Sequence, residues 1–154
     1  MTNTKKLKVM WLEDSDTTAL NINSIEHECE CKVDRAKSVL GASQLIQESN
    51  GGEEYMYIVV DLNIDYKPRY FSTEENEHIE HIYIETGKET RLAGLIWLLK
   101  MLKEYPKISK KVIVFSAYLD KIPDIEKKEL GDDLIYINKF SADRVDQLLD
   151  AIKR

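Results

Sequence analysis

Four apolar runs in this sequence each end in a residue able to do polar chemistry. Glu13 and Asp14 follow Val9-Met10-Trp11-Leu12, and Asp61 follows Tyr57-Ile58-Val59-Val60. Ser116 follows Val112-Ile113-Val114-Phe115, and Lys139 follows Leu134-Ile135-Tyr136-Ile137-Asn138. Brought to one place, the three carboxylates repel one another and have raised pKa values unless a cation sits among them. Hard oxygen donors favour Mg²⁺, which takes one or two carboxylates together with phosphoryl oxygens. In such a site Asp61 is the nucleophile toward a phosphoryl donor, Lys139 neutralises the equatorial oxygens, and the Ser116 hydroxyl donates to one of them. Each residue alone is a weak signal. Their order and their common position at run ends carry the reading.

The elements that must position them follow from periodicity. Short apolar runs ending in polar residues read as buried parallel strands, near residues 7–12, 29–35, 56–61, 112–116 and 134–138. Each is followed by helix signals. The first helix starts at Asp16 or Thr17 with Ala19, Leu20, Ile22 and Ile25 inward, the second at Ser38 with Val39, Leu40, Ala42, Leu45 and Ile46 inward. Gly51-Gly52 reads as a turn. Leu92, Leu95, Ile96, Leu99 and Leu102 form the stripe of a third helix ended before Pro106, and a shorter helix begins at Pro123. The last has Ser141 as N-cap and Ala142, Val145, Leu148, Leu149 and Ile152 at helical spacing. A repeated βα pattern predicts a doubly wound α/β fold: a five-stranded parallel sheet of flavodoxin-like order 2-1-3-4-5 with helices on both faces. That order makes the first and third strands neighbours at the switch point, where ligands of open α/β sheets bind.

Composition bounds the alternatives. A chain of 154 residues, 43% hydrophobic, suits one domain over 1–154. With 22 Lys+Arg against 28 Asp+Glu and a net charge of −6, no basic block exists to neutralise a nucleic-acid backbone, so direct nucleic-acid binding is not expected. Met1 to Lys6 does not read as a signal peptide, and the apolar stretch Leu92–Leu99 breaks at Lys100, too short for a bilayer; a soluble, cytoplasmic protein without membrane contact is expected. His27, Cys29 and Cys31 alternate as on one strand face. They are read as ordinary strand residues with reduced thiols rather than as a metal site or a disulfide.

The segment 65–88 does not fit a minimal domain, since strand-to-helix connections usually run to about 2–6 residues. It is an insertion overhanging the site. Tyr66, Tyr70, Phe71 and the acidic Glu74, Glu75 and Glu77 precede Ile79-Glu80-His81-Ile82-Tyr83-Ile84, which suggests an extra strand or hairpin arm. A partner-binding or lid-like arm is a better reading than a metal cluster of His78 and His81.

These residues resemble the receiver domains of two-component response regulators over nearly the whole chain except the insertion. Leu12-Glu13-Asp14-Ser15-Asp16 is similar to that family's acidic pair, Val59-Val60-Asp61-Leu62-Asn63 to its phosphoacceptor strand, and Phe115-Ser116-Ala117 to its hydroxyl-small motif. Gly131-Asp132-Asp133 through Lys139-Phe140-Ser141 is similar to its fifth strand and lysine loop. The resemblance implies Mg²⁺ bound by Glu13, Asp14, Asp61 and the backbone carbonyl of Asn63. It further implies phosphorylation of Asp61, contacts from Ser116 and Lys139, and a conformational switch at Ser116 and Tyr136. The implied partners are a histidine kinase or phosphotransfer protein and a downstream protein. Two departures stand out: Phe140 occupies the place of the usual proline after the lysine, and the 65–88 insertion replaces a short loop.

Three rival readings exist. A degenerate receiver would keep the fold as a binding scaffold only. Asp14-Ser15-Asp16-Thr17-Thr18 also fits the signature of haloacid dehalogenase-like phosphatases, with Asp14 as nucleophile, Ser116 as second motif and Gly131-Asp132-Asp133 as late acidic motif. A Toprim-like nuclease site of Glu13 with Asp61 and Asn63 matches loosely and conflicts with the acidic charge.

Overall fold

A computed structural model describes residues 7–153; Met1–Lys6, where the reading about a signal peptide falls, Arg154 and the Ala19 side chain lie outside the described residues. Five strands, β1 (Leu7–Leu12), β2 (Cys31–Ala36), β3 (Tyr57–Val60), β4 (Val112–Ser116) and β5 (Ile135–Asn138), pair in parallel in the order β2-β1-β3-β4-β5. This is the predicted topology. Because side chains alternate across a strand, each strand feeds two cores. Met10, Leu12, Ile58, Val60, Val112 and Val114 face one way, while Val9, Trp11, Val59, Ile113, Phe115 and Ile137 face the other.

Helices cover both faces. On the second face α2 (Ile22–Cys29) brings Ile25, and α7 (Arg144–Lys153) brings Leu148, Ala151 and Ile152. On the first lie α3 (Val39–Glu48), α4 (Thr73–Glu85), α5 (Ala93–Glu104) and α6 (Asp124–Leu130). A single turn, α1 (Asp16–Ala19), precedes α2. Sandwiched between the sheet and its neighbouring helices, α5 is buried continuously from Ala93 to Leu98, which explains its nearly unbroken apolar sequence.

Several local expectations need correction. The first helix is capped by Ser15, which accepts the Thr18 N–H at 3.3 Å, and it breaks at Leu20-Asn21; Leu20 is exposed rather than inward. Its second part runs through Cys29 and closes with Glu30 in the left-handed region, so β2 starts only at Cys31. His27 and Cys29 are therefore helical and share no strand face with Cys31. Alternation over three residues was too short a pattern to separate strand from helix. Leu40 projects to solvent because the buried stripe Val39, Ala42, Ile46 lies about 100° around the helix from it. In the last helix Asp143 rather than Ser141 precedes the first turn, with Gln147 N–H donating to its carbonyl at 2.9 Å, and Ala142 is exposed.

The largest correction concerns segment 65–88. Residues 79–84 form no strand; they belong to α4, opened by a capping box in which Glu75 N–H donates to Ser72 Oγ (3.1 Å) and Ser72 N–H to Glu75 Oε1 (2.7 Å). Ile79 and Ile82, three apart, are buried in the first core, and Ile84 faces solvent. The Ser72-x-x-Glu75 spacing was the signal to weigh against the strand reading. No helix among the described residues is long and apolar enough to cross a membrane.

Candidate functional site

Parallel pairing continues one residue beyond the strands at their carboxyl ends. Glu13 N–H donates to Ala36 O at 2.9 Å and Asp61 N–H to Leu12 O at 3.1 Å, which sets the backbones of Glu13 and Asp61 side by side. Glu13 is fully buried and Asp61 nearly so. Asp14 joins them: one carboxylate oxygen from each of Glu13, Asp14 and Asp61 lies within 4.8 Å of the others. Asp14 Oδ2 also accepts the Asp65 N–H at 2.7 Å, and Asp61 Oδ1 the Asn63 N–H at 3.1 Å.

Lys139 supplies the opposing charge. Its Nζ stands 2.6 Å from Glu13 Oε1 and 2.7 Å from Asp61 Oδ2, bridging the two buried carboxylates. Its backbone is fixed by N–H donation to the carbonyl of Ser116 at 3.1 Å. The loop that follows has no proline but is closed by Asn138, whose Oδ1 accepts the Phe140 N–H at 2.8 Å and whose carbonyl accepts the Ser141 N–H at 3.1 Å. Such an Asx turn is a local substitute for a rigid ring. Phe140 itself points to solvent.

Charge at this centre is unbalanced. Burial, and next the neighbouring Asp61 charge, push the Glu13 carboxyl up to about 7 against the pull of Lys139. Burial works against the Lys139 ammonium, yet Asp61 and Glu13 together hold it above its ordinary value. The converging carboxylates of Glu13, Asp14 and Asp61, faced by one ammonium, are a set of hard oxygen donors of the kind that suits Mg²⁺.

The pH dependence follows. Glu13 takes up its proton more tightly in the folded than in the unfolded protein, so its contribution is fully present below about 4.5 and is lost as pH rises through about 7. The expected loss is about 3 kcal/mol from this residue alone. Urea denaturation in a chelator from pH 4.5 to 8 should show this decline in the natural protein and a flatter profile in Glu13→Gln; parallel profiles would contradict it.

The other expected residues are placed as follows. Ser116 ends β4, fully buried, its Oγ accepting the Tyr118 N–H at 3.3 Å. Tyr136 pairs in register with Val114 and packs, half-buried, on the first core, where burial and then Asp132 raise its hydroxyl above the ordinary value. Asn63 leaves β3 beside Asp61, its side-chain Oδ1 accepting from Thr90 Oγ1 at 2.8 Å. His78 and His81 do not converge: His78 Nε2 is 2.7 Å from Glu126 Oε1 and His81 Nε2 is 2.8 Å from Glu85 Oε1. The phosphatase signature does not assemble either. Asp16 faces solvent between Arg35 and Lys37, and Asp132 and Asp133 precede β5, at the end of the sheet remote from Asp61.

Three positioning residues escaped the sequence reading. Arg35 donates from Nε to Glu13 O at 2.9 Å and from Nη1 to Asp16 Oδ1 at 3.0 Å, bracing the acidic loop. Thr90, buried, holds Asn63. Gly94 lets α5 rest on the end of β3: a Cβ there would stand 2.2 Å from Asp61 O and 2.9 Å from Leu62 O. A lone glycine inside the apolar run 92–99 was a legible sign of close backbone approach.

Comparison with known proteins agrees with this architecture. No family model and no curated protein matches the sequence. Among solved structures, a response regulator from Thermotoga maritima is similar at 23% identity and TM-score 0.59, covering 97% of this chain and 96% of its own. The receiver domain of Francisella response regulator 1452 is similar at 24% identity and TM-score 0.60, covering 96% of this chain and 93% of its own. A response regulator receiver domain protein from Clostridium thermocellum reaches TM-score 0.61 at 18% identity, covering 95% of this chain and 90% of its own. With the β2-β1-β3-β4-β5 sheet, these likenesses show that the chain has the fold of the response regulator receiver domains its sequence resembles.

Proposed function

We propose that this chain is a single phosphoacceptor domain, with segment 65–88 as an insertion, that takes a phosphoryl group onto Asp61 from a histidine kinase or phosphotransfer protein in the cytoplasm. The observation that carries this reading is the partly buried Lys139 ammonium, 2.6 Å from Glu13 and 2.7 Å from Asp61 at the carboxyl end of neighbouring parallel strands. Glu13, Asp14, Asp61 and the Asn63 carbonyl are the groups to hold Mg²⁺. When bound, that ion supplies positive charge to the phosphoryl oxygens and to the crowded carboxylates.

The chain's own groups do the rest. An Asp61 carboxylate oxygen forms a bond to phosphorus while the bond from phosphorus to the donor breaks, and that bond's electron pair leaves with the donor. Lys139 shifts from bridging carboxylates to facing a phosphoryl oxygen, and the Ser116 hydroxyl turns from the Tyr118 N–H to donate to another. Withdrawal of Ser116 from the loop after β4 gives Tyr136, on the adjoining strand, a different neighbour to pack against. Phosphorylation then shifts a population between two arrangements of the fourth and fifth βα units, read by a downstream protein.

The test is incubation with acetyl phosphate and Mg²⁺ followed by intact mass. The natural protein is expected to gain one phosphoryl group, and Asp61→Asn to gain none. Steady phosphate release that survives Asp61→Asn and is lost in Asp14→Asn would instead establish the phosphatase reading.

A further inference from the structure

Asn63 is held from two sides, by its own N–H to Asp61 Oδ1 at 3.1 Å and by its side-chain Oδ1, which accepts the Thr90 hydroxyl at 2.8 Å. Its carbonyl, by contrast, accepts no hydrogen bond from the described residues. Asn63 is thus tied to Asp61 on one side and to Thr90 on the other, with Asp61 itself one of three converging carboxylates; a peptide oxygen without a protein donor is a hard ligand suited to a cation.

Thr90 is built for holding rather than for contact with solvent. It is 4% exposed, and its hydroxyl both donates and accepts: the proton goes to Asn63 and the oxygen accepts the Leu92 N–H at 3.2 Å. Its backbone is in turn tied to the end of α4. Thr86, the C-cap of that helix, shares its hydroxyl proton between Tyr83 O (3.1 Å) and Thr90 O (3.0 Å) and accepts the Thr90 N–H at 3.4 Å. A continuous chain of hydrogen bonds therefore runs from α4 through Thr86 and Thr90 to Asn63 and Asp61.

We infer that Thr90 is a positioning residue for divalent-cation binding: its hydroxyl fixes Asn63 so that the Asn63 carbonyl faces the carboxylates, and it couples the seat of α4 to the metal site. This rests on the metal-site reading above. The two are separable because Thr90 touches none of the carboxylates and removal of one methyl-sized polar group leaves all three in place. Partners of this outer kind typically change metal affinity by about 10–100-fold when lost.

The experiment is binding of Mn²⁺, followed by loss of the free-ion paramagnetic resonance signal and competed with Mg²⁺, on natural protein, Thr90→Val and Thr90→Ser. Thermal unfolding without metal is recorded alongside. The inference expects about tenfold weaker binding in Thr90→Val and near-natural binding in Thr90→Ser. A lowered unfolding midpoint with unchanged affinity would make Thr90 a structural residue only and overturn the inference. If Thr90→Val does not fold, Asn63→Ala removes the acceptor instead; the same weakening is expected, and unchanged affinity again overturns it. Failure of the natural protein itself to bind, with Asp14→Asn no different, would overturn the metal-site reading and this inference together.

Discussion

Replacing Lys139 by methionine is expected to destabilise the metal-free protein by about 3 kcal/mol at pH 8, the order seen when one partner of a buried ion pair is removed. The side chain is 14% exposed and Glu13 and Asp61 are 0% and 5% exposed, so water cannot take over the ammonium's role. With the cation gone, the two carboxylates face each other uncompensated and one must hold a proton. The sign follows: the penalty shrinks toward pH 5, where the Glu13 carboxyl is protonated in any case. Mg²⁺ is expected to restore more stability to Lys139→Met than to the natural protein, since it meets no competing ammonium. Phosphoryl transfer moves the other way. Loss of a charge that faces the developing oxyanion lowers the rate by about 100-fold at saturating Mg²⁺, measured by intact mass over time. Equal stability of the two proteins at pH 8 would mean that Lys139 does not balance the carboxylates.

Gly94→Ala is the second large effect. The added Cβ would meet Asp61 O at 2.2 Å and Leu62 O at 2.9 Å, both backbone atoms that no rotamer change can clear. The Gly94 N–H also donates to Leu62 O at 2.9 Å, so the start of α5 is anchored one residue beyond Asp61. Relief requires α5 to lift or β3 to bend. The expected cost is about 3 kcal/mol, the upper end of ordinary overpacking. A concurrent fall in Asp61 phosphorylation is expected, because the carboxylate moves with its backbone. Gly87→Ala is the control: φ is +70° there and nothing lies within 4 Å of the added Cβ, so the cost is about 1 kcal/mol with no loss of phosphorylation. Chemical denaturation and acetyl phosphate labelling of both variants measure this contrast. Equal effects would remove the special role assigned to the α5 contact.

Which parts of this molecule could be read from its residues depended on how local the governing interactions are. The sheet was legible because five buried strands announce themselves as apolar runs, and the handedness of βα connections leaves few ways to order them. The convergence of Glu13, Asp14 and Asp61 followed from that order without any further information. Local patterns of six residues or fewer misled. Cys29 was drawn into a strand by an alternation that a left-handed Glu30 interrupts, and the apolar-rich stretch 79–84, read as a strand, is part of a helix whose capping box lies seven residues earlier. Arg35 and Thr90 escaped because each acts on a residue remote in sequence, through contacts that only the folded sheet creates, whereas Gly94 left a sign in the sequence as a lone glycine inside an apolar run.

Segment 65–88 is held by several contacts of its own. Ile79 and Ile82 seat α4 in the first core, His78 reaches Glu126 on α6, and Arg91 is held by Glu80 at 2.8 Å while lying 3.8 Å from the centre of the Tyr83 ring. A helix fastened this way is a fixed part of the wall beside Asp14 and Asn63 rather than a loose arm.

Borohydride trapping after exposure to acetyl phosphate and Mg²⁺ tests the central claim most directly, because reduction of an acyl phosphate converts the phosphorylated aspartate to homoserine and marks its position in the peptide map. The account predicts homoserine at position 61, dependent on Mg²⁺ and absent when acetyl phosphate is omitted. Reduction at Asp14, or none at any carboxylate under conditions where the protein is folded and binds the metal, would contradict it.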